Sequence, residues 1–284
     1  MKSVVITGAS TGIGHGAAKV LVGAGFRVFG SVRKATDAER LKRELGTNFV
    51  PLLFDVTDEP AVKAASGEVG SSLAGEPLFG LVNNAGIAVP GPLLYLGIDE
   101  VRHQLEVNVI GQMMVTQAFA PLLMTQSGRD TPPGRIVMIS SVGGRIATPF
   151  MGPYSASKFA IEALSDSLRR ELLPFGIDVI VIAPGAVATA IWDKAEAVDV
   201  SRYDNTPYAD ALGRLKKEAL ASGRKGLSEE TLGRAIHKAL TISRPKARYV
   251  VTPEPLQYLL GLSLPKRVLD RAVASRLGLR PQSS

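Results

Sequence analysis

Ser3-Val4-Val5-Ile6-Thr7-Gly8-Ala9-Ser10-Thr11-Gly12-Ile13-Gly14 decides the fold. Ser3–Thr7 is a short strand-like run, and Ile13–Ala24 carries apolar residues at helical spacing. Glycines between a strand and a helix let the chain turn tightly and bring its amides close to a pyrophosphate. The helix N-terminus adds partial positive charge and free N–H donors, and Ser10 and Thr11 can add hydroxyls. A glycine-rich turn alone is a weak signal, so the strand before it and the amphipathic helix after it carry the reading.

Outward from this loop the same rhythm repeats. Strand-like runs are expected at Arg27–Ser31, Val50–Phe54, Gly80–Asn83, Arg135–Ile139, Asp178–Ala183 and Ala247–Thr252. Helical spacing occupies Ala38–Leu45, Glu59–Ala74, Val101–Met124, Tyr154–Leu173 and Glu229–Ile242. Apolar runs without strict alternation suit strands buried on both faces. The expectation is an α/β fold: one doubly wound parallel sheet of about seven strands, helices on both faces, in a single domain over residues 1–252. One stretch, about 186–227, breaks the rhythm. With Trp192, Tyr203 and Tyr208 among polar residues, it reads as a substrate lid. Residues 253–284 form an extension, apolar over Pro255–Leu264 and then a basic amphipathic helix over Pro265–Leu279. It reads as a helix packed on its own domain or on a partner subunit, or as a peripheral contact with an anionic membrane surface.

Composition bounds the chemistry. The 284 residues are 45% apolar and 21% charged, ordinary for a globular chain. Cysteine is absent and His15, His103 and His237 are scattered, so neither disulfides nor a metal site is expected. The opening apolar run is too short for a signal peptide or a membrane span, and a cytoplasmic location is the expectation. The net charge is +7, but residues 245–284 hold seven basic and two acidic side chains, leaving the remainder nearly balanced. That distribution argues against a nucleic-acid partner.

An acid about 20 residues beyond a dinucleotide loop usually binds the ribose hydroxyls. Here the second strand runs into Ser31-Val32-Arg33-Lys34, with cations and no carboxylate. A ribose phosphate would be attracted by Arg33, so NADP(H) is favoured over NAD(H). Asp55, after the third strand, reads equally as a turn or cap aspartate.

Tyr154-Ser155-Ala156-Ser157-Lys158 places a phenol and an ammonium on one helix face. Of the six tyrosines only Tyr154 has a lysine four residues on. Phenol titrates near about 10, so a neighbouring ammonium that favours phenolate helps it exchange a proton with a carbonyl or alcohol oxygen near neutral pH. Thirteen residues earlier, Arg135–Ile139 ends in Ser140-Ser141, where the carboxyl end of a strand faces a ligand crevice. Asn83-Asn84-Ala85-Gly86 follows another strand, and Asn108 lies inside a helix, where asparagine is a poor helix former.

Together TGASTGIG (7–14), NNAG (83–86), Asn108, Ser141, YSASK (154–158) and PGAVAT (184–189) resemble the short-chain dehydrogenase/reductase family over residues 1–252, with hydroxysteroid- and retinol-type members the nearest in look. The resemblance implies Tyr154 as acid/base, Lys158 as its activator and ribose ligand, Ser141 rather than Ser140 as the substrate-oxygen ligand, and Asn108 as support for a water relay. Cofactor contacts are expected at Gly8, Ser10, Gly12, Ile13 and Gly14, at Arg33, Asp55 and Val56, at Asn83, Ala85, Gly86 and Lys158, and at Pro184, Gly185, Val187 and Thr189. In the resemblance Asp55 meets the adenine amino group and Thr189 the carboxamide. The glycine spacing differs from that of epimerases, and the Tyr–Lys spacing is shorter than in enoyl reductases. Hydride transfer between NADP(H) and a ketone, aldehyde or secondary alcohol is therefore expected. Phe150, Met151, Ile191 and Trp192 are apolar candidates for the pocket. Homodimers or homotetramers are common in the family. A non-catalytic NADP(H)-sensing protein of the same fold is the alternative, and a membrane-associated scaffold rests only on the tail.

Overall fold

The computed structural model describes residues 1–124, 132–189 and 199–279. Seven parallel strands form one sheet: β1 Ser3–Ile6, β2 Arg27–Val32, β3 Phe49–Leu53, β4 Gly80–Asn83, β5 Arg135–Ile139, β6 Val179–Pro184 and, after a small pair, β9 Arg248–Val251. Their spatial order is β3-β2-β1-β4-β5-β6-β9. The order reverses between β1 and β4, which opens a crevice beyond their carboxyl ends, where ligands of doubly wound sheets bind. The expected Rossmann architecture is therefore present.

Strand alternation builds the core. Val4 and Ile6 pack with Leu21, Val28, Ile236 and Leu240 on one face of the sheet. Val5, between them, points the other way and joins Phe29, Val115, Phe119, Ile136 and Ile161. Each fully buried side chain of this kind contributes about 1.5–3 kcal/mol. The covering helices are α1 Gly12–Gly23, α2 Ala35–Leu45, α3 Glu59–Ser72, α5 Gly111–Leu123, α6 Gly152–Glu171 and α8 Glu229–Thr241.

One place departs from the sequence expectation, and a second gains detail. The single helix expected over Val101–Met124 is instead α4 Ile98–Leu105, a π-helical turn Glu106–Ile110, and then α5. Asn108 sits in that wider turn and is buried. The segment expected as a lid has regular structure of its own. The short strands β7 Val187–Ala188 and β8 Leu227–Ser228 pair in parallel at its ends, and α7 Ala209–Arg224 lies between. Polar spacing concealed α7, because much of it is exposed. Trp192 and Ile191 lie outside the described residues.

The last two helices, α9 Pro255–Ser263 and α10 Lys266–Leu277, follow β9. Leu277 joins Phe150, Tyr203, Ala211 and Leu212 in a third, smaller core. Arg276 pairs with Glu218 of α7 at 2.9 Å. No helix among the described residues is long and apolar enough to cross a membrane.

Candidate active site

The glycine loop is held by its neighbours across the switch point. Thr7 Oγ1 accepts from the amides of Asn84 (2.9 Å) and Ala85 (3.0 Å). Asn84 Nδ2 donates to the carbonyls of Thr7 (2.9 Å) and Gly8 (3.1 Å). On the other side the Gly8 amide donates to Ser31 Oγ at 2.9 Å. At Gly12 φ is +62°, and a Cβ built there would meet the Thr189 side chain at 3.5 Å. Gly14 packs so closely on the Gly8 carbonyl that any side chain would overlap it. No side chain caps the start of α1 at Thr11. Its first amides therefore open toward a cleft of about 670 Å³ lined by Ser10, Thr11, Gly12, His15, Arg40 and Thr189, among others. Uncapped amides, a partial positive charge and a floor without side chains fit a dinucleotide phosphate.

Of the residues expected around the cofactor, Gly8, Ser10, Gly12, Gly14, Ala85 and Thr189 meet at this loop. Others have the following contacts within the protein. Ile13 packs into the core. Asn83 is buried, its amide donating to Thr116 Oγ1 at 2.8 Å. Val56 lies under Gly111. Gly86 borders Asn108, and Gly185 lies tightly against Thr252 at the end of β6. Val187 is buried in the β7–β8 pair.

Arg33 is exposed and stands 3.5 Å from Asp55. Asp55 Oδ1 accepts from the Thr57 amide (3.0 Å) and hydroxyl (2.8 Å), the geometry of a turn aspartate. Burial works to raise its carboxyl, but the Thr57 bonds and the Arg33 charge outweigh burial and hold it below the usual carboxylate range. A second cation went unread in the sequence. Arg40 donates from Nη2 to the Ser10 carbonyl at 2.6 Å, braced by Asp37 and Glu44 at 3.3 Å each. Its signal was a basic residue on the cleft-facing side of α2, visible only once α2 is docked.

The expected catalytic residues converge at the carboxyl ends of β4 and β5. Ser141 lies two residues beyond the last residue of β5, Ile139, and its Oγ accepts from the Gly143 amide at 3.0 Å. Tyr154 and Lys158 lie one turn apart on α6, with Lys158 Nζ 5.8 Å from the phenol ring centroid. Lys158 is 4% exposed and donates to the Ile139 carbonyl at 2.8 Å. Burial pushes its ammonium down to about 8. Burial also pushes the Tyr154 phenol above its usual value, and a hydrogen bond from Ser141 offsets part of that rise. Burial is the larger of the two effects on the phenol.

Asn108 Oδ1 accepts from the Ile87 amide (2.8 Å), while Nδ2 donates to the Ile87 carbonyl (3.0 Å) and to Ser157 Oγ (3.0 Å). Ser157 in turn donates to the Tyr154 carbonyl at 2.7 Å. Gln104, one turn earlier, accepts from the Val89 amide and donates to the Ile87 carbonyl. Gln104 thus ties the segment after NNAG to α4, and Asn108 ties it through Ser157 to α6. Gln104 and Ser157 were not picked out from sequence, since neither type is distinctive without its partner. Among the described residues no cluster of histidine and carboxylates could hold a metal ion.

The short chain dehydrogenase profile matches residues 2–199. The chain belongs to the short-chain dehydrogenase/reductase family. This short-chain dehydrogenase is 39% identical over 272 residues to the NADPH-dependent 3-dehydrocapnine reductase of Ornithobacterium rhinotracheale, covering 95% of each chain. It is 31% identical over 283 residues to human 17-beta-hydroxysteroid dehydrogenase type 6, covering 95% of this chain and 86% of that one. A short-chain dehydrogenase structure from Streptomyces avermitilis superposes with a TM-score of 0.76 at 25% identity, over 98% of this chain and 96% of the other. The protein is accordingly an NAD(P)-dependent oxidoreductase acting on CH–OH or C=O groups.

Proposed function

We propose that this short-chain dehydrogenase reduces an apolar ketone or aldehyde with NADPH, the reverse being oxidation of a secondary alcohol. The observation that carries this reading is the meeting of Ser141, Tyr154 and Lys158 at the sheet edge that also holds the glycine loop. Bound NADPH would supply the hydride. Gly8, Ser10, Gly12 and Gly14 would hold its pyrophosphate, and Arg33 its ribose phosphate. Lys158 would hold the nicotinamide ribose, with Thr189 at the carboxamide. Ser141 donates to the substrate oxygen, and Tyr154 donates the proton that completes the alcohol. The Lys158 ammonium stabilises the phenolate left behind. Asn108 positions Tyr154 through Ser157 and supports a proton path to solvent.

The preference for NADPH rests on the missing carboxylate at the end of β2, on Arg33, and on the NADPH-dependent relative. The apolar substrate rests on the aromatic group beside the site. Phe150 packs on Tyr208 (5.7 Å between centroids), which also meets Tyr95 (6.0 Å). Exposed Ile110 and Phe159, on the elements bearing Asn108 and Tyr154, suit a homodimer or homotetramer, which light scattering would detect. A protein that only senses NADP(H) has no use for a phenol acid set beside Ser141 and Lys158.

The test follows NADPH absorbance against a panel of ketones and aldehydes for the wild type and Tyr154→Phe. The variant is expected to lose about 10²–10⁴-fold in turnover while binding NADPH as before. Turnover equal to the wild type would sink the assignment.

A further inference from the structure

The outward face of α9 is apolar. Leu256, Leu259 and Leu260, at i, i+3 and i+4, are 81%, 57% and 60% exposed. On the inner side Tyr258 is buried over Arg248, its ring centroid 5.8 Å from the guanidinium carbon. A helix normally turns its leucines inward, so this one is inverted. Leu264 and Pro265 join it directly to α10, whose exposed residues include Lys266, Arg267 and Arg271, with exposed Val268 between them. None of those three cations forms an ion pair with another described residue. Along the chain Lys266 and Arg267 thus come shortly after the leucines, and Arg271 stands next to exposed Asp270.

We propose that α9 and α10 seat the protein on an anionic lipid surface, the leucines in the acyl boundary and the three cations among the headgroups. Charge complementarity favours this occupant. A second copy pairing through the same face would bring one set of cations toward its equivalent, which like charges oppose. The place in the fold gives the contact a use. Gly261 of α9 lies so close to Ile146 that a Cβ there would stand 2.9 Å from Cδ1. Ile146 belongs to the segment between Ser141 and Tyr154. A second exposed apolar group, Leu93, Leu94 and Ile98, adjoins the other end of that segment, where Leu93 packs against Gly152. The docked face thus borders the mouth of the catalytic cleft, and on the reductase reading an apolar substrate enters from the lipid.

The experiment is co-sedimentation of the full chain with phosphatidylcholine vesicles, with and without about one-third phosphatidylglycerol, and reads no turnover. The wild type is expected to pellet with the anionic vesicles and to be released by salt. Leu256→Asp/Leu260→Asp should lower partitioning on the order of tenfold. Lys266→Glu/Arg267→Glu/Arg271→Glu should lower it on the order of a hundredfold. Both variants should keep the wild-type melting temperature and NADPH binding. Wild type left in the supernatant, or partitioning unchanged in either folded variant, would overturn the proposal. So would a wild-type dimer, without vesicles, that the leucine variant converts to monomer. Failure here leaves the reductase reading standing. Loss of turnover in every assay with vesicle binding intact would do the reverse.

Discussion

Lys158 Nζ donates to the carbonyl oxygen of Ile139 at 2.8 Å, so the last residue of β5 pins the lysine that stands beside Tyr154. The bond fixes where the ammonium lies, and burial sets when it is charged. Because that charge is lost as pH rises through about 8, the rate of carbonyl reduction should be flat below this value and fall above it. Lys158→Arg, which keeps its charge, should remove the falling limb even if its turnover is lower. A pH–rate profile with an unchanged limb in that variant would separate the limb from Lys158.

The same burial has a stability cost with a definite sign. Lys158 loses its proton more readily folded than unfolded, so between about 8 and its ordinary value the unfolded chain binds more protons. Stability from this group is therefore lowest below about 8 and rises with pH above it. Lys158→Met should stabilise the cofactor-free protein at pH 7, about 3 kcal/mol relieved from desolvation against about 1 kcal/mol for the lost bond. The gain should shrink toward pH 10. Urea midpoints at the two pH values check both statements.

Arg33 and Arg40 should separate in their effects on cofactor. Arg33, exposed and paired only at the surface with Asp55, is placed to turn to a ribose phosphate, and Arg33→Ala should lower the NADPH-over-NADH preference about 10–100-fold. Arg40 acts through the Ser10 carbonyl. Arg40→Ala should weaken NADPH and NADH alike, leaving their ratio near the wild-type value. Titrations with both nucleotides distinguish the two.

Gly14→Ala would force a methyl group into the Gly8 carbonyl and the Asn84 amide. We expect a loss of about 1–3 kcal/mol in stability together with weakened cofactor binding. Gly213→Ala, in α7 with nothing near the added atom, should instead stabilise by about 0.5–1 kcal/mol. Parallel thermal melts test the pair.

Phe150 is buried at a φ of +63° and accepts a hydrogen bond from the Gly91 amide at 2.8 Å, tying the two loops beside the cleft together. Phe150→Ala removes the aromatic that Tyr208 packs on without relieving the backbone. It should cost about 3 kcal/mol and raise KM for the best apolar substrate more than for NADPH. Equal changes in both constants would remove Phe150 from the substrate side.

The fold was legible because buried parallel strands leave a signature that needs no partner: short apolar runs, as in Val4–Ile6 and Val179–Ala183, alternating with stretches at helical spacing. Tyr154, Lys158 and Ser141 were legible because spacing along one helix and position at a strand end both survive in one dimension. Arg40, Asn84 and Gln104 were not. Each acts on a backbone group brought near by another part of the fold, and an arginine, an asparagine or a glutamine in isolation looks like any other. Asn83 shows the converse. It shares a motif with Asn84, yet strand alternation turns its amide into the core.

The widened turn at Glu106–Ile110 holds one residue more than an α-helix would place there. That surplus sets α5 about 100° out of phase with α4, so the rod presents Gln104 and Asn108 to one loop while still laying Val115 and Phe119 on the sheet. Deleting a single residue from 106–110 would restore a straight cylinder and swivel one half against the other. Either the amides would leave Ile87 or the core would open. Such a deletion should therefore be far more damaging than any single side-chain replacement in the same stretch.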